Sequence, residues 1–140
     1  MGRYLLDTNI VAFFISDDKD NLSFEVYDIL TDYNNQLYIS AVSVLELLQL
    51  YRIKKITTRK YKTANELYQA LEKVFYIEIL PFIKEHTDTL SNLKIADGHN
   101  DPFDHSIIAH AITEKFTLVS SDRKFEEYIS QKLKFVFNKR

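Results

Sequence analysis

Tyr4-Leu5-Leu6-Asp7-Thr8-Asn9, followed by the apolar run Ile10 to Ile15, decides the fold class. Tyr4-Leu5-Leu6 is short and apolar and reads as a buried strand; Asp7-Thr8-Asn9 ends it, and Ile10 to Ile15 resumes as helix. Asp7 is the only charge between Arg3 and Asp17. A lone carboxylate at the carboxyl end of a strand is costly to desolvate unless something pairs with it. In open α/β sheets that crevice is where ligands bind.

The same grammar recurs along the chain. After the polar loop Asp17–Asn21, the residues Val26, Ile29, Leu30 and Tyr33 have helical spacing, and Leu37-Tyr38-Ile39 reads as a second strand. Ser40 or Ser43 is available to cap the next helix, Ala41 to Tyr51. Glu46 is that helix's only charge. An exposed stripe would leave it a surface residue, but Val44, Leu45, Leu47, Leu48 and Leu50 leave little room for one, so an inward role is favoured. Ala64, Leu67, Tyr68, Leu71, Val74 and Phe75 form an amphipathic helix, assigned to core or to a subunit interface. Tyr76 to Leu80 ends at Pro81 as a third strand would, and Ile83 to Leu93 is helical.

His99-Asn100-Asp101-Pro102-Phe103-Asp104-His105 then opens a further helix. Asp101 is a good N-cap and Pro102 suits the first helical position. Asp104 falls in the first turn, which tolerates negative charge best. Capping accounts for Asp101; it leaves Asp104 between Phe103 and Ile107 at the edge of an apolar face. Phe116 to Val119 is another buried strand, with Asp122 near its carboxyl end as Asp7 is near the first. Leu133 to Phe137 reads as a last edge strand. The alternation argues for an α/β chain, a mostly parallel sheet covered by helices on both faces. No repeat or linker divides it, so a single domain over residues 1–140 is expected.

Composition narrows the function. The chain is 46% hydrophobic, 14% aromatic and 27% charged, as in a globular protein. Its net charge of −2 supplies no global basic field, so a nucleic-acid surface must be local. One candidate is Arg52 to Lys62, with Arg52, Lys54, Lys55, Arg59, Lys60 and Lys62 and no acid among them. Such a run is either a solvated face or a contact to a phosphate backbone. The absence of cysteine removes disulfides, cysteine nucleophiles and thiolate zinc sites. With Gly2 and Gly98 the only glycines, a Walker loop or a G-x-G-x-x-G turn is excluded. The start Met1-Gly2-Arg3-Tyr4 shows no signal peptide, and no run is long enough to span a membrane, so a cytoplasmic location is expected.

Asp7, Glu46, Asp104 and Asp122, with Asp101 near, come from four separate segments that the parallel sheet brings toward one edge. Two carboxylates about 4 Å apart repel by about 4 kcal/mol at an effective dielectric of 20. Either some of them hold protons or a cation holds them all. Oxygen donors without histidine or thiolate select hard cations, so Mg²⁺ or Mn²⁺ is expected, supporting attack of water on a phosphodiester. Thr8, Asn9, Ser120 and Ser121 are placed to orient carboxylates or water.

The chain resembles a PIN domain of the VapC-type toxin group. The resemblance rests on Leu5-Leu6-Asp7-Thr8-Asn9, the isolated Glu46, the block His99 to Asp104, and Leu118-Val119-Ser120-Ser121-Asp122-Arg123-Lys124-Phe125 followed by Tyr128. It implies a three-layer α/β/α sandwich and a Mg²⁺- or Mn²⁺-dependent endoribonuclease leaving a 3′-hydroxyl and a 5′-phosphate. Asp7, Glu46, Asp104 and Asp122 would be its catalytic and metal-holding acids, with Asp101 supporting or capping. The implied partners are RNA, a cognate antitoxin lying across the acidic groove, and a second copy in a homodimer. Relatives usually have arginine after the last aspartate of the block, where this chain has His105; His105 and Arg123 join the basic run as expected RNA contacts. His99 is expected to make a structural hydrogen bond, and His86 and His110 are expected to be structural. Three rivals remain. A catalytically silent PIN-like module would bind RNA or protein, but all four acidic positions are filled. A phosphoacceptor domain would need adjacent acids after the first strand, which Asp7-Thr8-Asn9 does not supply. A small-molecule metal phosphatase would use the same carboxylates, and a polymer-binding basic surface tells it apart.

Overall fold

The computed structural model describes residues 1–140. Its centre is a five-stranded sheet: β1 (Arg3–Leu6), β2 (Gln36–Ser40), β3 (Ile77–Leu80), β4 (Thr117–Ser120) and β5 (Lys134–Phe137). The order is β3-β2-β1-β4-β5, and every pairing is parallel. Six α-helices cover it: α1 (Thr8–Ile15), α2 (Phe24–Thr31), α3 (Ala41–Arg52), α4 (Ala64–Lys73), α5 (Lys84–Asn92) and α6 (Pro102–Glu114).

Alternation along the strands separates two cores. Leu6, Leu37, Ile39, Ile77 and Val119 face α1 to α4, and Val11, Val26, Leu47, Leu67 and Leu71 complete that side. Leu5 and Leu118 face the other way, against Ile107, Ile108 and Ala111 of α6 and against Phe125, Tyr128 and Leu133. The expected three layers and central sheet are present, and the sheet is wholly rather than mostly parallel. The last connection explains this. No helix is expected between β4 and β5, yet Arg123–Gln131, with Phe125 and Tyr128 turned to the core, forms a long 3₁₀ helix that carries the chain back across the sheet.

Three expectations shift in detail. Tyr33 lies beyond the end of α2 and is 93% exposed, and Val74 and Phe75 lie beyond α4. Ser40, not Ser43, caps α3, its Oγ accepting from Val42 N–H at 3.2 Å; Ser43 is buried with its Oγ unpartnered. α5 begins with His86 Nδ1 accepting from Ile83 N–H at 3.0 Å. His86 also donates to Glu114 at 2.7 Å and stacks on buried His110 at 3.8 Å between ring centroids. The two rings pack α5 on α6, as expected of structural histidines. No helix is long and apolar enough to cross a membrane.

The chain leaves β1 toward β2 and β3 on one side, and β4 and β5 add on the other. The switch point lies between β1 and β4, where neighbouring connections diverge and leave a crevice at the carboxyl edge. Asp7 follows β1 directly, and Ser120 ends β4.

Candidate functional site

Asp7 is set by backbone before any side chain acts on it. Its N–H donates to Val119 carbonyl at 3.0 Å, continuing the β1–β4 ladder one residue past the strand. Its Oδ1 accepts from Thr8 N–H at 2.7 Å and caps α1. Oδ2 accepts from the Ser120 hydroxyl, also at 2.7 Å. Ser120 Oγ in turn accepts from Asp122 N–H at 3.1 Å, so one buried hydroxyl fixes the first acid and the backbone of the last.

Glu46 reaches the same place from α3. Its Oε1 accepts from Thr8 Oγ1 at 2.9 Å. The inward role read from its apolar neighbours is what the structure shows: the residue is half-buried. Asp104 arrives from α6, whose start is fixed by Asp101 Oδ1 accepting from Phe103 N–H at 2.9 Å and by Pro102. Asp122 caps the 3₁₀ segment, with Oδ1 accepting from Lys124 N–H at 2.9 Å.

The electrostatics follow from this crowding. Burial raises the Asp7 carboxyl from 3.8 to about 7, with Asp104 and Glu46 adding to the rise and the Ser120 and Thr8 bonds opposing it. Glu46 is raised by burial, against its Thr8 bond, and further by Asp101 and Asp104. Asp104 is raised by burial, against its His99 bond, and further by Asp101 and Asp122. Three carboxyl groups are thus pushed toward the neutral form by one another and by lost water, a cost that a bound cation would remove.

The donor set fits a hard divalent cation. The donor atoms of His99, Asp104 and Asp122 lie within 4.8 Å of one another. His99 is not a free ligand, however. Its Nε2 meets Asp104 Oδ2 at 3.0 Å and its Nδ1 meets the Tyr128 hydroxyl at 2.7 Å. With Nε2–H donating to the carboxylate, Nδ1 accepts from Tyr128, whose oxygen accepts from Ala96 N–H at 3.0 Å. The chain Ala96–Tyr128–His99–Asp104 is a positioning relay, which leaves oxygen atoms alone to face a cation. It realises the structural hydrogen bond expected of His99; Tyr128 as its partner is 29 residues away and invisible to local pattern.

Other expected participants fall differently. Thr8 and Ser120 hold carboxylates directly. Asn9 is exposed and holds none of them. Ser121 faces away, its Oγ accepting from Asn138 Nδ2 at 2.8 Å. Asn138 is fully buried and also binds Asn21 carbonyl and Ser23 N–H. No sequence pattern singled it out; a lone amide closing the apolar strand Phe135-Val136-Phe137 was the available sign. His105, expected to contact RNA, instead donates from Nε2 to His99 carbonyl at 2.7 Å and braces the loop that carries His99. Gly98 supplies that loop's left-handed turn, with φ +77°. Arg123 is exposed, paired with Glu126 at 3.1 Å and lying 4.1 Å from the Phe137 ring centroid. The run Arg52 to Lys62 is at the opposite edge of the sheet: α3 starts at the carboxyl edge and ends at Arg52.

Similarity to solved structures agrees with this architecture. The chain resembles VapBC2 from Rickettsia felis, solved bound to a DNA fragment from their promoter, with TM-score 0.66 and 25% identity over 98% of this chain and 99% of that one. VapBC-1 from nontypeable Haemophilus influenzae gives TM-score 0.62 at 17% identity, over 96% of this chain and 97% of that one. VapBC-5 from Mycobacterium tuberculosis, a member of the VapBC family of toxin-antitoxin systems, gives 0.60 at 18%, over 98% and 99%. No curated protein matches the chain. The expected likeness to VapC-type PIN domains is borne out. The PIN domain family model matches residues 4–129, nearly the whole chain and all four converging acids, and the chain belongs to the PIN domain family.

Proposed function

We propose that the protein is a Mg²⁺- or Mn²⁺-dependent endoribonuclease and the toxin of a toxin–antitoxin pair. The observation that supports this reading is that Asp7, Glu46, Asp104 and Asp122 stand at one sheet edge, where donor atoms of Asp104 and Asp122 lie within 4.8 Å of each other and Asp7, buried and raised to about 7, feels Asp104 and Glu46 from outside that cluster. These four would hold the cation. Once bound, it would neutralise the crowded carboxylates, lower the pKa of water and stabilise charge on a phosphodiester. The chain's own part is positioning. Ser120 and Thr8 aim Asp7 and Glu46, and His99, fixed by Tyr128, aims Asp104. Asp101 and Asp122 cap helical segments with Oδ1, and each keeps a second oxygen.

The toxin reading is supported by the likeness to VapBC complexes, and it brings two partners: a cognate antitoxin and a second copy of the chain. Phe103, 37% exposed beside the acidic edge, and Leu45, 60% exposed on α3, are apolar surface suited to such contacts.

The test is incubation of the purified protein with total RNA and Mg²⁺ or Mn²⁺, beside an Asp7→Asn, Asp104→Asn double variant. Discrete 5′-phosphate fragments from the parent only, abolished by chelator, are expected. Intact RNA with either metal, together with no metal binding, would overturn the reading in favour of a silent binding module.

A further inference from the structure

The edge of the sheet opposite the carboxylates has its own chemistry. It gathers the amino ends of the strands, the end of α1 and the loop after α3. The last residue of that helix and the loop together bear six cations: Arg52, Lys54, Lys55, Arg59, Lys60 and Lys62. All are exposed, and none is in an ion pair. Taking six positive charges from a chain of net charge −2 leaves −8, so the loop is a local inversion of the protein's field.

The loop is built, not merely solvated. Ile56 is buried at its centre, and the Tyr51 hydroxyl donates to Tyr61 carbonyl at 2.8 Å, clasping its ends. Glu66, the nearest acid in sequence, is occupied by Lys62 N–H at 2.6 Å. The loop thus keeps its cations pointed outward without neutralising them.

Two adjoining hollows lie beside it and share Phe14 and Phe75. One, of about 970 Å³, is lined by Thr57, Thr58, Arg59 and Lys60. The other, of about 660 Å³, is lined by Tyr33, Val74 and Tyr76. Tyr33 is 93% exposed and Tyr76 71%. Two large aromatic rings left in water beside a cationic rim form the combination that holds single-stranded nucleic acid, with bases stacked and phosphates on cations. A duplex hides its base faces and cannot use the rings. Of the acids lining the two hollows, Asp17 faces Lys19 at 3.9 Å and Asp32 accepts from Asn34 N–H at 2.9 Å. On its far side Tyr76 borders Glu72, which accepts from Ile79 N–H at 3.0 Å, and the exposed Glu78, so the phosphates are placed on the Arg59–Lys60 side of the ring.

We propose that this amino edge is a second docking surface for single-stranded RNA, with phosphates on the Arg59–Lys60 rim and bases on Tyr33 and Tyr76. It rests on the ribonuclease reading for its substrate and holds RNA away from the cut. Its cations act on binding and not on the chemical step.

The experiment measures equilibrium binding of a fluorescent single-stranded RNA of about 16 nucleotides in chelator, where no cleavage occurs. Three full-length proteins are compared: the parent, Arg59→Ala with Lys60→Ala, and Tyr33→Ala with Tyr76→Asn. Asparagine suits the left-handed φ of 56° at position 76. The charge variant is expected to bind more weakly, with the slope of log K against log salt smaller by about 1.4. The tyrosine variant is expected to lose about thirtyfold or more in affinity for the single strand, from two stacked bases, and nothing for a duplex of the same sequence. Unchanged single-strand affinity in both variants would overturn the proposal, as would equal loss of duplex and single strand in the tyrosine variant. Cleavage of total RNA separates the two readings. Cleavage with variant-insensitive binding sinks the docking surface alone; variant-sensitive binding without cleavage sinks the ribonuclease alone.

Discussion

The two edges of the sheet use charge in opposite ways. At the carboxyl edge four acids are pulled in, hydrogen-bonded by Thr8, Ser120 and His99, and crowded until three have raised pKa values. At the amino edge six cations are held out in water by a clasped loop, each without a partner. Inward charge is bought with folding energy and so marks a site whose geometry matters. Outward charge costs little, acts over a Debye length of about 8 Å, and governs encounter. The lesson is that charge alone does not mark the chemistry here; its burial and its partners do.

The comparison breaks most visibly at the acids. Asp104→Asn is expected to lower metal-dependent RNA cleavage by more than about 100-fold, since loss of a supporting partner alone costs 10–100-fold. An activity within tenfold of the parent in a single-turnover assay would remove Asp104 from the machinery. One step out, Ser120→Ala and Thr8→Val are each expected to cost about 10–100-fold in activity or metal affinity, with the fold retained by circular dichroism.

Stability gives a finer test. The Asp7 carboxyl titrates near 7 folded and near 3.8 unfolded. The folded state therefore holds the extra proton between those values. The contribution is fully present below 3.8, is lost as pH rises toward 7, and amounts to about 4 kcal/mol at most. Metal-free protein should thus melt at lower temperature as pH rises through 4 to 7, and Asp7→Asn should flatten that slope. Metal-free Asp104→Asn should melt no lower than the parent at pH 8, because a repelling charge is gone. A clearly lower melting temperature would show that capping and hydrogen bonding, not crowding, dominate the edge.

His110 supplies an internal control with the opposite sign. Burial and neighbouring His86 lower its pKa from 6.5 to about 4, against the pull of Glu114. The unfolded chain binds the extra proton in that window, so this contribution is lost as pH falls from 6.5 to 4. His110→Phe should make the folded state less sensitive to acid while leaving RNA cleavage unchanged, the smallest effect expected here.

Most of the architecture was legible because strands this short and apolar can only be interior, and because Pro102, Asp101 and Ser40 punctuate helices by local rules. Glu46 was legible by contrast with its apolar neighbours. What escaped was long-range or weakly patterned. Arg123–Gln131 carries helical spacing at Phe125, Tyr128 and Ile129, but the run is short and heavily charged and reads as a loop beside the strand that follows; its crossover makes the last strand parallel. Tyr33 continued a helical spacing but fell past the cap, so a residue read as part of the helix is nearly bare beyond it. Ser121 and Asn9 looked equivalent to Ser120 and Thr8 in sequence, and side-chain direction separated them.

By itself, then, the sequence determined the alternation of elements and the helix starts, and it singled out the four acids proposed to hold the cation, because each depends on neighbours within a few residues. Only the tertiary structure decided which polar groups meet. The Tyr128–His99–Asp104 relay, the Ser120 bridge from Asp7 to Asp122 and the hollow shared by Phe14 and Phe75 join segments far apart in the chain. Hydrogen bonds and desolvation act over ångströms in space, and no local pattern records that proximity.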